Sequence, residues 1–238
     1  MLALLSAGRD PSAAPAPAGD HAAENGTGAL AGLVRIGPAV WSRKMRFTVY
    51  PDLHRRTPPP SESFSDREEI KNVVVYLEST SPEALDVAGG VGTYVMSQSE
   101  STFVPHVLPV LQGSTVEFPN SDPVFHNVFS LSKPATFDLG RYRKGESKAV
   151  RFDNPGIVKV FCHLHSDMSA VVLVRDNPFF VIPQEGGDFR IEGIPAGEYR
   201  AYAWHERAEL ISETVRIQPG RTTVVEFSIP IEDGDSGG

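Results

Sequence analysis

The chain contains one cysteine, and it lies in the stretch Phe161-Cys162-His163-Leu164-His165-Ser166-Asp167-Met168. His165 follows the cysteine by three residues, and Met168 follows that histidine by three. A thiolate, an imidazole nitrogen and a thioether together suit a copper ion, which cycles between Cu(I) and Cu(II). Completed by a second histidine, this donor set is the arrangement of a blue-copper electron-transfer site. The spacing therefore predicts three ligands of one copper ion.

The second histidine must come from another part of the chain, and His126 is the candidate. It lies in the stretch Asn120-Ser121-Asp122-Pro123-Val124-Phe125-His126-Asn127-Val128-Phe129. Asp-Pro is typical of a turn, and an apolar run follows it, so we expect His126 at a strand end. Of the nearby aromatic residues, Phe125, Phe129 and Phe161 are candidates for shielding the site, or are ordinary core residues.

Alternation predicts which way the cysteine points. In Ile157–Cys162 the charged Lys159 should face solvent, so Val158, Val160 and Cys162 share the inward face of the strand. The thiol is thereby aimed into the end of a core, and a bend after it must bring His165 and Met168 back. The alternative without a metal is a buried cysteine that acts as a small hydrophobic residue.

The fold class follows from the spacing of apolar runs. From Thr93 onward they recur every eight to twelve residues, which is typical of a β-sandwich. The 21 glycines and 20 prolines favour turns and short strands over helices. The sequence therefore predicts an all-β protein. The strands expected in this region are Val104–Val110, Thr115–Phe118, Asn127–Leu131, Lys148–Phe152, Ile157–Cys162 and Ala170–Arg175.

These motifs resemble the cupredoxins, and the ligand spacing is most similar to that of amicyanin. The resemblance covers residues 93–175, and the text around Phe103–Val110 and Phe137–Gly140 is similar to cupredoxin-like proteins of the methylamine-utilisation type. It implies a Greek-key sandwich holding one type 1 copper ion, with Asn127 donating a backbone N–H to the sulfur and tying the two ligand loops together. The implied ligands are His126, Cys162, His165 and Met168.

A second resemblance involves both ends of the chain. Asp188–Tyr199 and Val215–Val224 are similar to the carboxypeptidase-regulatory-like, or prealbumin-like, β-sandwich, whose usual first strands occur here at Gly32–Ile36 and Val73–Leu77. We therefore expect a cupredoxin domain inserted into this second sandwich. The expected division is a leader or tether (1–28), the first part of the outer sandwich (29–84), the cupredoxin domain (85–176), the second part (177–231) and an acidic tail (232–238).

Composition limits the partners and the compartment. A net charge of −8 disfavours nucleic acid, and no stretch reaches the roughly 18 apolar residues of a transmembrane helix. The start, Met1–Leu5, is too short for a signal sequence, so either the start is truncated or the protein is cytosolic. The cupredoxin resemblance implies a periplasmic or extracellular protein and therefore favours a truncated start. The sequence leaves the oligomeric state open.

Enzymatic alternatives find little support. Cys162-His163-x-His165 is similar to multicopper oxidases, but seven histidines are too few for a trinuclear cluster in one chain. A type 2 copper ion shared between subunits, as in nitrite reductase, stays open. His205-Glu206-x-x-Glu209 lacks the second histidine of a zinc protease, and no Gly-x-Ser-x-Gly elbow is present. His106 is expected on a strand surface, and the basic cluster Arg141–Arg151 in a solvated loop or docking rim.

Three functions follow, and the first is preferred. It is a one-electron carrier without enzymatic activity, whose redox partner docks transiently at the edge of His165 through an interface below about 1,200 Å². The second is copper storage or delivery without electron transfer. The third is a surface-binding module without a metal.

Overall fold

The computed structural model describes residues 26–37, 69–80 and 91–229. The regular elements of this part of the chain are seventeen β-strands and one 3-10 turn at Ile70–Asn72, so the predicted all-β class is confirmed. The strands are β1 (Thr27–Ile36), β2 (Val74–Ser79), β3 (Thr93–Val95), β4 (Ser97–Ser99), β5 (Thr102–Val104), β6 (Val107–Leu111), β7 (Thr115–Pro119), β8 (His126–Ser132), β9 (Ala135–Tyr142), β10 (Ser147–Arg151), β11 (Gly156–Phe161), β12 (Ser169–Arg175), β13 (Phe180–Val181), β14 (Asp188–Pro195), β15 (Gly197–Trp204), β16 (Ile211–Ile217) and β17 (Thr222–Ile229).

Strands β3 to β12 form the middle sandwich. One sheet has the order β10-β7-β3, the other has the order β6-β12-β11-β8-β9, and β4 pairs with β5 in a separate hairpin. The alternating residues of these strands bury a common apolar core, because successive side chains on a strand point to opposite faces. Its large fully buried members include Met96, Phe118, Tyr142, Phe152 and Met168.

The remaining strands form the outer sandwich, which is built from both sides of the middle one in the chain. Its sheets have the orders β14-β1-β17 and β13-β2-β15-β16. Strand β1 runs parallel to β17, with Ala29 opposite Thr222, and antiparallel to β14. One β-sandwich is thus inserted into another, as the fold-class prediction required. The domain limits and the carboxypeptidase-regulatory-like resemblance stay predictions.

The two sandwiches pack against each other through an apolar cluster. It buries residues of β6 and β12 against residues of β2 and β15, so the middle sandwich is covered along one edge of its larger sheet. Its buried members are Val74, Tyr76, Val107, Val171, Leu173 and Trp204. At one end of this junction the Arg175 guanidinium lies over the Tyr76 ring, 3.8 Å from its centroid, and donates to Glu78 at 2.9 Å.

Most predicted strands of the middle sandwich occur, with two corrections. The expected strand Val104–Val110 is divided, because Pro105 has no backbone N–H to donate to a ladder, and β6 begins only at Val107. Strand β9 was not predicted, and none of its residues was expected in the core. Arg141 and Tyr142, placed in a solvated loop, instead end β9, and Tyr142 is buried, whereas β10 agrees with the strand predicted at Lys148–Phe152. The alternation Phe137, Leu139 against Asp138 was the available signal.

Several predictions fall outside the described residues. These are most of the leader, a possible strand in 41–50, the loop at 55–66, a helical turn at 81–87 and the acidic tail. In the part of the chain that is described, no helix has the length and apolar character to cross a bilayer.

Candidate metal centre

Three of the predicted ligand atoms lie together at one end of the middle sandwich. The Cys162 sulfur is 3.9 Å from Nδ1 of His126 and 3.8 Å from Nδ1 of His165. All three atoms lie within 4.8 Å of one another. Metal–nitrogen and metal–sulfur bonds are about 2.0 and 2.3 Å long, so the sulfur and either nitrogen, 3.8 to 3.9 Å apart, can contact the same ion, and the three side chains together could hold one.

Cys162 reaches this position because β11 alternates as the sequence indicates. Val158 and Val160 are fully buried, Lys159 is only partly so, and Cys162, directly after the strand, is buried. The strand is held by β12, with Val158 opposite Val172 and Val160 opposite Ala170. The thiol therefore lies at the edge of a packed core, and the rigid ladder fixes its direction.

The segment from Cys162 to Met168 folds back through two backbone hydrogen bonds. The N–H of Cys162 donates to the carbonyl of Met168 at 3.2 Å, and the N–H of Met168 donates to that of His165 at 3.1 Å. This tight turn brings the His165 ring to the cysteine. Met168 is buried in the same core cluster as Cys162. Its role as an axial ligand stays a prediction.

His126 is the first residue of β8 and is fully buried. Its Nε2 lies 2.7 Å from Oδ2 of Asp122. An ionised carboxylate can only accept, so Nε2 carries a hydrogen, and in the neutral ring Nδ1 then presents a lone pair toward Cys162. Burial acts to raise the pKa of Asp122, but hydrogen bonds from the Ser101 backbone, from His126 and from the Glu100 backbone outweigh it and lower that pKa.

Asn127 connects the two segments that carry the ligands. Its side-chain Oδ1 accepts a hydrogen bond from the backbone N–H of His163 at 2.9 Å, directly after the cysteine. Its Nδ2 donates to Oδ1 of Asp138 on β9 at 2.7 Å. The link that the structure contains is thus made by the side chain, whereas the resemblance implied a backbone N–H donated to the sulfur.

The surroundings of the site are apolar on the inside and partly open on the outside. Phe129 is buried, and the His163 ring packs against it with 3.7 Å between the ring centroids. His163 is therefore directed to Phe129 and does not belong to the group formed by His126, Cys162 and His165. Phe125 is 56% exposed and Leu164 38%, so both contribute to the protein surface next to the ligand residues, and shielding of the site by Phe125 stays a prediction. His165 is the more exposed of the two histidines.

The other described histidines belong to the junction between the sandwiches. His106 lies before β6, not on a strand surface, and its Nε2 is 2.5 Å from Oε1 of Glu206. His205 is buried; its Nε2 lies 3.1 Å from Glu69, and its Nδ1 accepts from the backbone of Arg207. Among the described residues, the only group of three or more His, Cys, Asp or Glu side chains close enough to share an ion is the one at Cys162.

Comparisons with known proteins give only distant similarities. No protein-family profile matches the sequence, and no curated protein does. A purple cupredoxin from Nitrosopumilus maritimus is 21% identical over 34% of this chain and 99% of its own, with a TM-score of 0.32. A point mutant of amicyanin, in its reduced Cu(I) form, is 25% identical over 42% of this chain and 98% of its own, at 0.33. A copper-containing nitrite reductase from Thermus scotoductus SA-01 is 21% identical over 42% of this chain and 26% of its own, at 0.34.

The donor set itself identifies the metal that this site suits. Two imidazoles and a thiolate converge, and a thioether is buried in the same core. Thiolate and thioether are soft ligands that select Cu(I), while imidazole also suits Cu(II). The residues present therefore fit a copper ion that changes oxidation state.

Proposed function

We propose that the protein is a one-electron carrier with a single type 1 copper ion bound by His126, Cys162, His165 and Met168. The observation that carries this proposal is the approach of two imidazole nitrogens and the only sulfur of a cysteine to within 4.8 Å of one another. They come from segments 36 residues apart. When bound, copper would supply the one-electron change between Cu(II) and Cu(I).

The scaffold contributes rigidity. Cys162 and His126 lie at the ends of paired strands inside a packed core, and Asn127 fastens one ligand segment to the other. A closely packed interior resists displacement of its side chains. The chain thus holds its donors in one arrangement, which suits an electron carrier because the two oxidation states then share one ligand geometry.

The surface beside His165 supports electron exchange with another protein. His165 is partly exposed, and Val124, Phe125 and Leu164 around the site are exposed apolar residues. We propose that a redox protein docks here through a small, transient interface, as weak electron-transfer encounters do. The electron would pass at the edge of the His165 ring. No substrate bond is made or broken, so the protein is proposed not to be an enzyme.

The remaining sequence-based expectations are part of the same proposal. A copper carrier of this kind is expected in the periplasm or outside the cell. We also propose an inserted domain at 85–176 and an outer sandwich at 29–84 and 177–231, which is supported by the sheet orders because, among the described strands, β3 to β12 pair only with one another.

Voltammetry of the copper-loaded protein tests the carrier role against its alternatives. An electron carrier gives a fast, reversible one-electron couple. Storage or delivery instead predicts tight Cu(I) uptake with slow or irreversible cycling, and that result would contradict the carrier role. Protein purified from copper-replete cells without copper would support the third alternative, a surface module that binds no metal.

A further inference from the structure

The hairpin β4–β5 contains an unusual turn. Ser99 pairs with Thr102, so Glu100 and Ser101 are its two central residues, with φ of 54° and 57°. Such a turn needs positive φ at both central positions and normally uses glycine or asparagine there. Neither glutamate nor serine favours this conformation, so something outside the hairpin must stabilise it.

The stabilising group is the carboxylate of Asp122. Its Oδ1 accepts from the backbone N–H of Glu100 at 2.7 Å, and its Oδ2 accepts from that of Ser101 at 2.9 Å. Two successive N–H groups held in this way form an anion-binding concavity. Asp122 is 7% exposed, and its own N–H donates to Oδ1 of Asn120. The carboxylate is therefore fixed in position from two sides.

The same carboxylate holds His126, whose Nε2 lies 2.7 Å from Oδ2. We propose that Asp122 is a positioning residue for the metal centre. It keeps the ring hydrogen of His126 on Nε2, so that Nδ1 faces Cys162 with a free lone pair. This inference deepens the proposed function and, where it concerns copper, rests on it.

The negative charge of Asp122 should also affect the metal. A carboxylate hydrogen-bonded to a ligating imidazole makes that imidazole more basic, and loss of such a partner commonly weakens metal binding about 10- to 100-fold. A more basic ligand favours the more highly charged ion. Asp122 should therefore favour Cu(II) over Cu(I), which lowers the reduction potential of a bound copper ion.

The first test uses the metal-free protein and nitrogen NMR of its histidines. In the native chain His126 should be hydrogenated on Nε2. In Asp122→Ala no side-chain oxygen is left to accept from Nε2, so the population of rings with the hydrogen on Nδ1 should rise. Equal tautomer populations in the two proteins would overturn the inference. Because no metal is present, this result is independent of the proposed copper function.

The second test compares reduction potentials of the copper-loaded variants. Asp122→Asn should weaken Cu(II) binding relative to Cu(I) at least tenfold, which corresponds to a rise of about 59 mV for one electron. The control is Glu100→Gln, which removes an exposed carboxylate in the same turn but keeps the backbone N–H. An equal rise in both variants would show a general charge effect and would contradict a specific role for Asp122.

A further pair of variants separates positioning from folding. Ser101→Gly accepts positive φ without strain and helps the turn to persist without its carboxylate. The double variant Ser101→Gly/Asp122→Asn should still show the raised potential relative to Ser101→Gly alone. An unchanged potential in the double variant overturns the inference. If the native chain binds no copper, the proposed function fails, and the NMR comparison alone decides the role of Asp122.

Discussion

The burial of Met168 has two explanations: it is a core residue, or it is an axial ligand of the metal. It is 1% exposed and packs in the same core as Met96, which is 0% exposed. As a core residue it fills space, whereas as an axial ligand it also influences the metal. A thioether can do either, since sulfur is polarizable and the side chain adapts to irregular gaps.

Substituting the two methionines separates these explanations. Met→Leu conserves volume, so Met168→Leu and Met96→Leu should each lower the free energy of unfolding of the metal-free protein by less than about 1.5 kcal/mol. Only Met168→Leu should change the visible spectrum and the reduction potential of the copper protein. Identical spectra for both variants and the native chain would remove Met168 from the ligand set.

At the scale of elements, the site depends on how β8 is fastened to the segment after β11. The strands pair only at Phe161 and Phe129, so the ladder alone does little to fix the cysteine segment relative to His126. The Asn127 side chain supplies a further connection through His163 and Asp138. Loss of a buried hydrogen-bonding group costs about 1 to 3 kcal/mol, because its partners lose their hydrogen bonds.

We therefore expect Asn127→Ala to destabilise the metal-free protein by about 1 to 3 kcal/mol and to weaken copper binding. Chemical denaturation and copper titration measure the two effects. Asn154→Ala is the matched control, because this exposed asparagine also fastens a loop, by donating to the carbonyl of Pro134. A copper affinity that is unchanged in Asn127→Ala, or lowered equally in Asn154→Ala, would contradict the connecting role.

At the scale of the whole molecule, the junction between the sandwiches carries two histidines of opposite character. Burial acts to lower the pKa of His106, but the hydrogen bond to Glu206, the negative charge of Glu206 and a backbone hydrogen bond to Ser169 together outweigh burial and raise that pKa. Burial lowers the pKa of His205 to about 4. This agrees with its contacts, because protonation of Nδ1 would break the hydrogen bond from the Arg207 backbone.

The sign of each pH effect follows from linkage. Protonated His106 is favoured in the folded protein, so its contribution is complete below its ordinary pKa of 6.5 and is lost as the pH rises through the raised value. His205 acts the other way. It stays neutral in the folded protein, which loses stability as the pH falls from about 6.5 toward 4.

His106→Gln should accordingly cost more stability at pH 5.5 than at pH 9, by about 1 kcal/mol for a partly exposed ion pair. Denaturation at the two pH values measures this difference. Glu206→Gln should show the same trend, since it removes the other member of the pair. A cost that is equal at both pH values would contradict the ion pair. The nearby charged groups His205 and Lys159 are retained in both variants.

The sequence predicted features that depend on local pattern. Alternation predicted the inward direction of Cys162, and the spacing after it predicted that His165 lies beside the sulfur, whereas the ligand role that the spacing assigns to Met168 stays a prediction. Strand β9 was missed because Gly140 and Arg141 interrupt its alternation. The Asp122 network could not be predicted, since it depends on how the β4–β5 hairpin, about twenty residues upstream, packs against the turn.

The junction was missed for a related reason. Tyr76 and Trp204 have the apolar pattern of core residues, and no local signal tells which core they enter. Their burial against Val107 and Val171 is set by the contact between two sandwiches. His126 could be chosen as the second histidine only from the motif around it. It lies 36 residues before Cys162, so no repeating pattern in the sequence connects the two residues.

Titration of the purified protein with Cu(II), followed by visible and paramagnetic-resonance spectra, tests the copper centre most directly. We expect an intense thiolate-to-Cu(II) band that saturates at one copper ion per chain and is lost in Cys162→Ser. A native protein that develops no such band, or a Cys162→Ser variant that keeps it, would contradict the convergence of these side chains on one copper ion.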